Sequence, residues 1–305
     1  MSRRSILLPG SWCGRAAYGI QVTSVTLGNQ IKTIGEHAFD GCESLTGITI
    51  PDSVTSIGAY AFYKCLGLKT VTVGDGVTAI GEYAFYRCRK LIRLVVGKSV
   101  NSIGDAAFYE CYYLVEVINN SSLQIEKGSN ANGAVGLYAL KIFNSENPFT
   151  ETKLSVDNGY LVYTNDEEKI LVCYEGTETD LVLPSYITAI NQYAFLNQSI
   201  TSVVIPEGVT TIGTKAFHNC HLTSIVVPQS LTSIDASAFG EYTYLDCVYY
   251  KGSTNNWEVI NCDSFTNHNL YKAPRYYYSE NEPTDDGNYW HYGENGKPAV
   301  WEKKS

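Results

Sequence analysis

The stretch IGAYAFYKCLGLKTVTVG, residues 57–74, decides the fold because its pattern returns along the chain at a nearly fixed spacing. The opening Ile-Gly-x-x-Ala-Phe-x-x-Cys segment occurs four times in succession, 23 residues apart, beginning at Ile34, Ile57, Ile80 and Ile103. Further Ala-Phe pairs follow 22 residues apart, at 194–195, 216–217 and 238–239. A fixed period of this length predicts a solenoid of stacked coils, with one repeat to a coil.

Each coil is expected to contain two extended pieces and a short connection. Leu68-Lys-Thr-Val-Thr-Val-Gly74 alternates apolar and polar positions, is rich in β-branched residues and ends at glycine, which predicts a short strand. Val54-Thr-Ser-Ile57 predicts a second, shorter extended piece. The connection, residues 58–65, is shorter than an average helix of about 11–12 residues and predicts one or two helical turns.

The apolar positions of one coil cannot form a core alone, because a coil this small has no second layer to pack against. Neighbouring coils must therefore pool their apolar residues. The alternation in the strands predicts that Leu45, Ile48 and Ile50 face inward. The connections predict an aromatic spine made of Phe39, Phe62, Phe85 and Phe108.

Most of the nine cysteines follow the same register. Five of them occupy one position of the repeat and are expected to be small buried residues of a ladder: Cys42, Cys65, Cys88, Cys111 and Cys220. Thiols that recur at one position of the repeat, together with an odd number of cysteines, indicate a reducing or anaerobic setting. No Cys-x-x-Cys pair supports structural zinc.

The repeated unit, Ile-Gly-x-x-Ala-Phe-x-x-Cys-x-x-Leu-x-x-Ile/Val-x-Ile/Val-Pro, resembles the BspA-like leucine-rich repeat family of bacterial cell-surface proteins. The resemblance covers residues 22–118 and 186–251 unit by unit. It implies a right-handed leucine-rich-repeat horseshoe or superhelix, a location at the cell surface or outside the cell, and adhesion to host matrix proteins or other cells. It implies no catalytic residue and no ligand identity.

The pattern divides the chain into five parts. Residues 1–20 lack the repeat and are interpreted as a leader or truncated start, although the apolar run is too short for a secretory signal. Repeats are expected in 21–118 and 186–251, with an enlarged repeat in 119–185 and an aromatic cap in 252–305. Within the enlarged repeat, residues 132–143 predict a short helix in place of Ala-Phe, and 159–174 a projecting β-hairpin with a charged turn at 165–168. That hairpin is either part of a binding face or a neutral decoration.

The cap is needed because the last coil of a solenoid exposes its core. Trp257 and Phe265 are expected to cover that core, and residues 275–302 to add two or three strands. A second interpretation of these aromatics is a carbohydrate platform, which is less favoured because large rings more often pack than bind.

Candidate binding residues lie between the inward positions of the longer strands, where side chains point to the outer, concave face of the sheet. The middle of this face combines β-branched side chains with one pair of opposite charges. The face is either an interaction surface or a row of good strand formers. Its predicted binding residues are Thr49, Thr72, Arg93, Val95, Glu116, Ile118, Ser202, Val204, Val226 and Tyr249.

Charge and motifs exclude several other functions. The net charge of −9 has the wrong sign for holding a phosphate backbone, so nucleic acid is not an expected partner, and no apolar run is long enough to insert into a membrane. No nucleophile elbow, zinc-protease helix or phosphate-binding loop occurs, which predicts that the protein is not an enzyme and needs no cofactor. The triplet His218, Cys220 and His221 is not expected to bind metal, because the repeat register places Cys220 in the core.

Two functions remain open. The favoured one is a cell-surface or secreted adhesion module that binds a host or neighbouring-cell macromolecule, a matrix protein or glycoprotein, through the concave sheet. The alternative is a structural spacer that displays another domain.

Overall fold

The computed structural model describes residues 22–165, 167–240 and 243–302, and it divides into two compact units between Thr152 and Lys153. The boundary falls inside the segment predicted as one enlarged repeat. The predicted leader, residues 1–20, lies outside the described residues. Each unit contains a sheet of longer strands and a sheet of shorter strands, named here the long-strand sheet and the short-strand sheet of that unit.

The first unit stacks its coils so that each coil adds one strand to each sheet. Its long-strand sheet has the order β2-β4-β6-β8-β9 and its short-strand sheet the order β1-β3-β5-β7, all parallel. The elements are β1 (Thr33–Ile34), β2 (Gly47–Ile50), β3 (Ser56–Ile57), β4 (Thr70–Val73), β5 (Ala79–Ile80), β6 (Arg93–Val96), β7 (Ser102–Ile103), β8 (Glu116–Asn119), α1 (Ala131–Ala134) and β9 (Lys141–Phe143).

The second unit repeats this plan and adds antiparallel strands at its ends. The elements are β10 (Leu154–Asp157), β11 (Tyr160–Thr164), β12 (Lys169–Tyr174), β13 (Asp180–Val182), β14 (Ala189–Ile190), β15 (Ser202–Val204), β16 (Thr211–Ile212), β17 (Ser224–Val227), β18 (Ser233–Ile234), β19 (Cys247–Tyr250), α2 (Thr254–Glu258), β20 (Asn261–Cys262), α3 (His268–Lys272), β21 (Arg275–Tyr278), β22 (Tyr289–Tyr292) and β23 (Pro298–Val300). The short-strand sheet runs β10-β11-β12-β14-β16-β18-β20 and the long-strand sheet β13-β15-β17-β19-β21-β22-β23. The predicted β-solenoid is confirmed.

The register between coils places equivalent residues side by side. Ile48 pairs with Val71, and Val71 is followed in the next coil by Leu94. These inward positions are buried, as are Leu45 and Ile50, which confirms the predicted alternation. In the first unit, glycine follows the isoleucine that ends each strand of the short-strand sheet, because the coils approach closely there. A Cβ on Gly58 would lie 2.6 Å from the backbone nitrogen of Glu36 in the preceding coil.

The predicted phenylalanine spine is present in both units. In the first unit, successive rings from Phe39 to Phe108 stack with centroids 4.9–5.0 Å apart and planes within 10° of parallel. In the second unit, the rings of Phe195, Phe217 and Phe239 stack at 4.9 and 5.2 Å. This spacing equals the distance between neighbouring strands, about 4.7–4.9 Å, so the backbone ladder sets the ring stacking.

The connection predicted as helical turns is a series of tight turns instead. In the coil that contains residues 58–65, Tyr60 and Lys64 both have φ of 55°, a left-handed conformation that interrupts a helix. The interruption turns backbone groups toward the next coil: the Tyr60 amide donates to the carbonyl of Glu82 and the Phe62 amide to that of Ala84, at 3.0 and 2.7 Å. Bonding between coils therefore replaces bonding within a helix.

The cysteine ladder has a purpose that the sequence did not reveal. Each thiol donates to the main-chain carbonyl of the phenylalanine one coil earlier, as Cys88 does to Phe62 at 3.3 Å. Where cysteine is absent, another donor makes the same bond: the Thr243 hydroxyl to Phe217 at 2.9 Å and the Gln198 amide to Tyr174 at 3.2 Å. Cys42 is buried as predicted, but it is disulfide-bonded, whereas Cys65, Cys88, Cys111 and Cys220 are free.

The insert between the repeats is built into the stack. Residues 131–134 take the place of Ala-Phe, since the Phe108 amide donates to the carbonyl of Gly133, but the predicted helix over 132–143 ends early and 141–143 form β9. The hairpin over 159–174 is confirmed. It does not project: β12 pairs directly with β14, and Tyr160 and Leu171 are buried in the core of the second unit.

The segment predicted as an aromatic cap forms the end of the second unit. Trp257 is buried and the predicted strands are β21 to β23, but Phe265 is 87% exposed, so its assignment to the cap is wrong. Leu270, on α3, is fully buried in the core instead. The Asn267 side chain accepts a hydrogen bond from the Phe239 amide at 3.0 Å, a bond that a main-chain carbonyl accepts in other coils.

Replacing Phe217 with alanine is expected to lower the free energy of unfolding by about 3–5 kcal/mol, because the site is closed on both sides by stacked rings. The same change at exposed Phe265, in the same unit, is expected to cost less than about 0.5 kcal/mol. Chemical denaturation followed by circular dichroism measures both losses. Equal losses would contradict a core built on the ring stack.

The buried thiols predict a loss of stability in alkali. Burial raises the pKa of Cys220 to about 12, above the value of about 8.5 for an unfolded cysteine. Its contribution is therefore complete below about pH 8.5 and is lost between pH 8.5 and 12, by about 1.4 kcal/mol for each pH unit. Urea unfolding from pH 8 to 10.5 should show a steeper decline for the wild type than for Cys220→Ser, which keeps a donor that does not titrate there. Parallel curves would disprove this linkage.

Candidate functional site on the outer sheet face

The predicted binding residues lie on the outer faces of the two long-strand sheets. In the first unit, one row crosses the sheet in register and becomes more apolar along the stack: Thr49, Thr72, Val95, Ile118 and Phe143. In the second unit, the corresponding row is apolar throughout: Val182, Val204, Val226, Tyr249 and Tyr276. Within each unit, the predicted binding residues therefore lie on neighbouring strands of one sheet.

Arg93 and Glu116 form an ion pair in the first unit rather than a free charged patch. The Arg93 Nη2 and Nε atoms donate to Oε2 of Glu116 at 2.6 and 2.8 Å. Glu116 occupies an outward position of its strand, but its side chain is fully buried. Glu116 therefore cannot present the exposed charge that the sequence predicted at this position.

The cover over this ion pair comes from residues 144–152, named here the strap. The Thr152 hydroxyl lies 3.2 and 3.3 Å from the two Glu116 carboxylate oxygens, and the ring of Phe149 lies over the Arg93 guanidinium with 5.2 Å to its centroid. Asn144 shapes the strap by accepting hydrogen bonds from the amides of Glu146 and Asn147. The strap thus covers the charged pair that the sequence predicted in the middle of the outer face.

The outer face of the second unit begins with a valine that the sequence analysis missed. Val182 on β13 is 73% exposed and pairs in register with Val204. It lies 22 residues before Val204, and Leu181-Val-Leu-Pro184 has the alternation of the other strands, so the period itself would have found it. Val226 was predicted to bind a ligand and lies in the same row, but it is buried and therefore inaccessible.

Ser202 is engaged within the second unit. Asp180 on β13 accepts hydrogen bonds from the Ser202 hydroxyl at 2.6 Å and the Thr201 hydroxyl at 2.9 Å. Both bonds favour the charged carboxylate and lower the pKa of Asp180. The Ser202 and Thr201 hydroxyls thus hold the Asp180 carboxylate in place next to the apolar row.

Aromatic rings close the far end of the same face. The Trp290 ring is fully buried, with centroids of Tyr249, Tyr278 and Tyr292 at 5.5, 5.1 and 5.0 Å. Its indole nitrogen donates to the Tyr250 carbonyl at 3.0 Å. Trp257 and Trp290 are therefore structural, and neither is a platform for a ligand.

The turns of the first unit carry two tyrosine rows. Tyr63, Tyr86 and Tyr109 stack at 5.3 and 6.2 Å, and Tyr60 stacks on Tyr83 at 5.1 Å. The rings of the next coil cover ring faces in these rows, so the rows pack neighbouring coils against each other.

A charged cluster ends these rows at Glu110. Burial disfavours its carboxylate, but hydrogen bonds from Arg87, Arg89 and Tyr86 outweigh burial and lower the pKa of Glu110. Arg87 binds it through two nitrogens, both at 3.0 Å. The Glu110 carboxylate is therefore satisfied within the unit.

Two further features concern metals and membranes. Within the described ranges, no group of three or more His, Cys, Asp or Glu side chains is placed to hold a metal ion. Cys220, which lies in the His218–His221 segment, is buried and donates to the Phe195 carbonyl at 2.9 Å. None of the helices in the described part of the chain is both long and apolar enough to cross a membrane.

Comparisons with known proteins give a family match and several structural likenesses. The family model for the BspA type leucine rich repeat region matches residues 15–132 and 172–275, in six copies. No curated protein matches the chain.

Three solved bacterial structures resemble it. A leucine rich cell surface protein from Faecalibacterium prausnitzii is 21% identical, with 80% of this chain and 90% of that chain covered and a TM-score of 0.30. The pneumococcal vaccine antigen PcpA is 16% identical, with 84% and 70% covered and a TM-score of 0.42. A leucine rich repeat protein of T. pallidum is 21% identical, with 75% and 73% covered and a TM-score of 0.31.

Replacing Glu116 with alanine is expected to destabilise the first unit by about 3–5 kcal/mol, because the arginine loses its buried partner. The double variant Arg93→Met with Glu116→Met should recover most of that loss, since no unpaired charge remains. Urea denaturation of the two variants measures the difference. A loss below about 1 kcal/mol for Glu116→Ala would show that the pair is solvated and not covered by the strap.

Proposed function

The chain belongs to the BspA-type leucine-rich repeat family, and from this premise we propose that it is a cell-surface or secreted module that binds a protein ligand on the outer face of its long-strand sheets. The single observation that carries the proposal is the apolar row of the second unit, in which Val182, Val204 and Tyr249 lie on adjacent or nearly adjacent strands. Val182 is exposed, and Val204 and Tyr249 are half-buried. Apolar side chains that remain accessible on a sheet favour association with another surface.

The composition of this row favours a protein over other partners. Val182 and Val204 offer β-branched side chains with little rotamer freedom to lose on binding, and Tyr249 offers a ring with a polar edge. Asp180 supplies an acidic rim whose carboxylate is held in place by two hydroxyls. A ligand with an apolar centre and a basic edge fits this arrangement, and a matrix protein or glycoprotein of a host or neighbouring cell is the class we propose.

A binding role also fits the chemistry of the described residues better than an enzymatic one. The buried charges found at Glu116 and Glu110 are paired with arginines and hydroxyls rather than directed into a cleft. We therefore propose a module that acts by binding, with no cofactor. The structural spacer is the alternative, and it predicts that the outer face binds nothing.

A pair of matched variants tests the proposal. Val182→Asp places a charge in the apolar row at a side chain 73% exposed, and Val156→Asp makes the same change at a side chain 70% exposed on β10 of the short-strand sheet. Binding to an array of purified matrix proteins and glycoproteins should be saturable for the wild type. The Val182→Asp variant is expected to bind at least tenfold more weakly and Val156→Asp to bind like the wild type.

Two outcomes would contradict this assignment. Silence of the wild type across the array favours the spacer. Equal weakening by both substitutions would mean that the long-strand face is not the binding surface. Thermal melts of the three proteins serve as the folding control, and because both positions are exposed we expect the melts to agree.

A further inference from the structure

A cleft lies at the carboxyl ends of the parallel strands in the second unit. It encloses about 370 Å³, within the range of about 300–1,000 Å³ usual for small-ligand sites. Gln229 follows β17, residues 251–256 follow β19 and begin α2, and Tyr277 and Tyr278 end β21. Tyr289, the first residue of β22, completes the wall beside Tyr277, its partner in the sheet.

The lining is polar and almost uncharged. Hydroxyl and amide groups come from Ser253, Thr254, Asn256 and Gln229, and three tyrosines add ring surface and phenolic hydroxyls. The one cation, Lys251, lies 3.9 Å from a carboxylate oxygen of Glu207 and 5.9 Å from the ring centroid of Tyr292. Its charge is thus partly compensated, so the cleft has no strong attraction for an anion.

Several of these groups are available to a ligand. Among the described residues, the side-chain amide of Gln229 and the Tyr278 hydroxyl have no hydrogen-bond partner, whereas the Gln229 main-chain amide donates to Glu207 at 3.3 Å. The Tyr278 side chain is 39% exposed. Others are held in place: Asn256 and Ser253 cap α2 reciprocally, and the Tyr289 hydroxyl donates to Asp285 at 3.2 Å. Fixed groups beside free ones make a preorganised site, which lowers the entropic cost of binding.

We propose that this cleft binds a neutral oligosaccharide. A pyranose ring has hydroxyls around its edge, which need donors and acceptors such as those of Gln229 and Asn256. It also has faces of C–H bonds, which pack on aromatic rings such as Tyr278. An apolar ligand would leave the hydroxyl and amide groups of the lining without partners, and that cost is high when they are desolvated.

The test titrates the full chain with cellohexaose, maltohexaose, xylohexaose and chitohexaose by calorimetry, with hyaluronan hexasaccharide as an acidic comparison. The wild type is expected to bind at least one neutral sugar saturably. Tyr278→Ala should weaken that binding about tenfold, since the ring contact is removed, whereas Tyr278→Phe should retain it within about threefold. Gln229→Ala, at an exposed amide, removes a ligand contact without removing a bond within the protein.

The control is Tyr244→Ala, which removes an exposed tyrosine of the same unit that does not line the cleft. Its affinity should equal that of the wild type. Absence of binding to every neutral sugar, binding to hyaluronan alone, or equal loss in Tyr244→Ala would each overturn the proposal. If Tyr278→Ala fails to fold, Gln229→Ala decides the question: full affinity in that variant overturns it. Gln229→Ala and Val182→Asp distinguish this proposal from the outer-face one, because Gln229 lines the cleft and Val182 does not.

Discussion

Hydrogen bonding from one coil to the next is the constraint on which the structure depends. A coil of 22 or 23 residues has no second layer of its own, and its left-handed turns send backbone donors outward instead of closing a helix. Those donors are satisfied only when another coil lies at strand spacing. Once that spacing is set, the phenylalanines stack at about the same distance and the inward aliphatic residues meet their counterparts. Core packing, strand register and turn geometry thus follow from one repeat distance.

The repeat made the fold predictable, because a side chain that recurs at a fixed period must occupy an equivalent place in each coil. The strands, the inward Leu and Ile positions, the aromatic spine and the hairpin over 159–174 could all be predicted in this way. The turns could not, since positive φ at Tyr60 or Lys64 carries no glycine signal. The exposure of Phe265 was also hidden, because the coil that contains it has lost the period and Leu270 fills the core there.

The candidate site was less predictable than the fold, for a physical reason. Period-two alternation tells which side of a sheet a residue faces, but not whether another segment covers that side. Arg93 and Glu116 were correctly placed as neighbours on one face. Their cover by Phe149 and Thr152 comes from a non-repeating strap whose path no periodicity specifies. Val182, in contrast, was within reach of the same reasoning, since it lies one period before Val204.

The repeated side-chain donors give the stack a direction. The Thr55 and Thr78 hydroxyls donate to the coil before them, at Lys32 and Thr55, and Thr201, Thr223 and the register thiols do the same. A chain that emerges from the ribosome amino terminus first therefore presents ready acceptors to each coil as it is made. An interrupted chain leaves the carbonyl acceptors of its last coil unfilled, and the turn amides that donate to the next coil, such as those of Tyr60 and Phe62, also lack partners. The ladder of threonine and cysteine thus makes each finished coil a template for the next one.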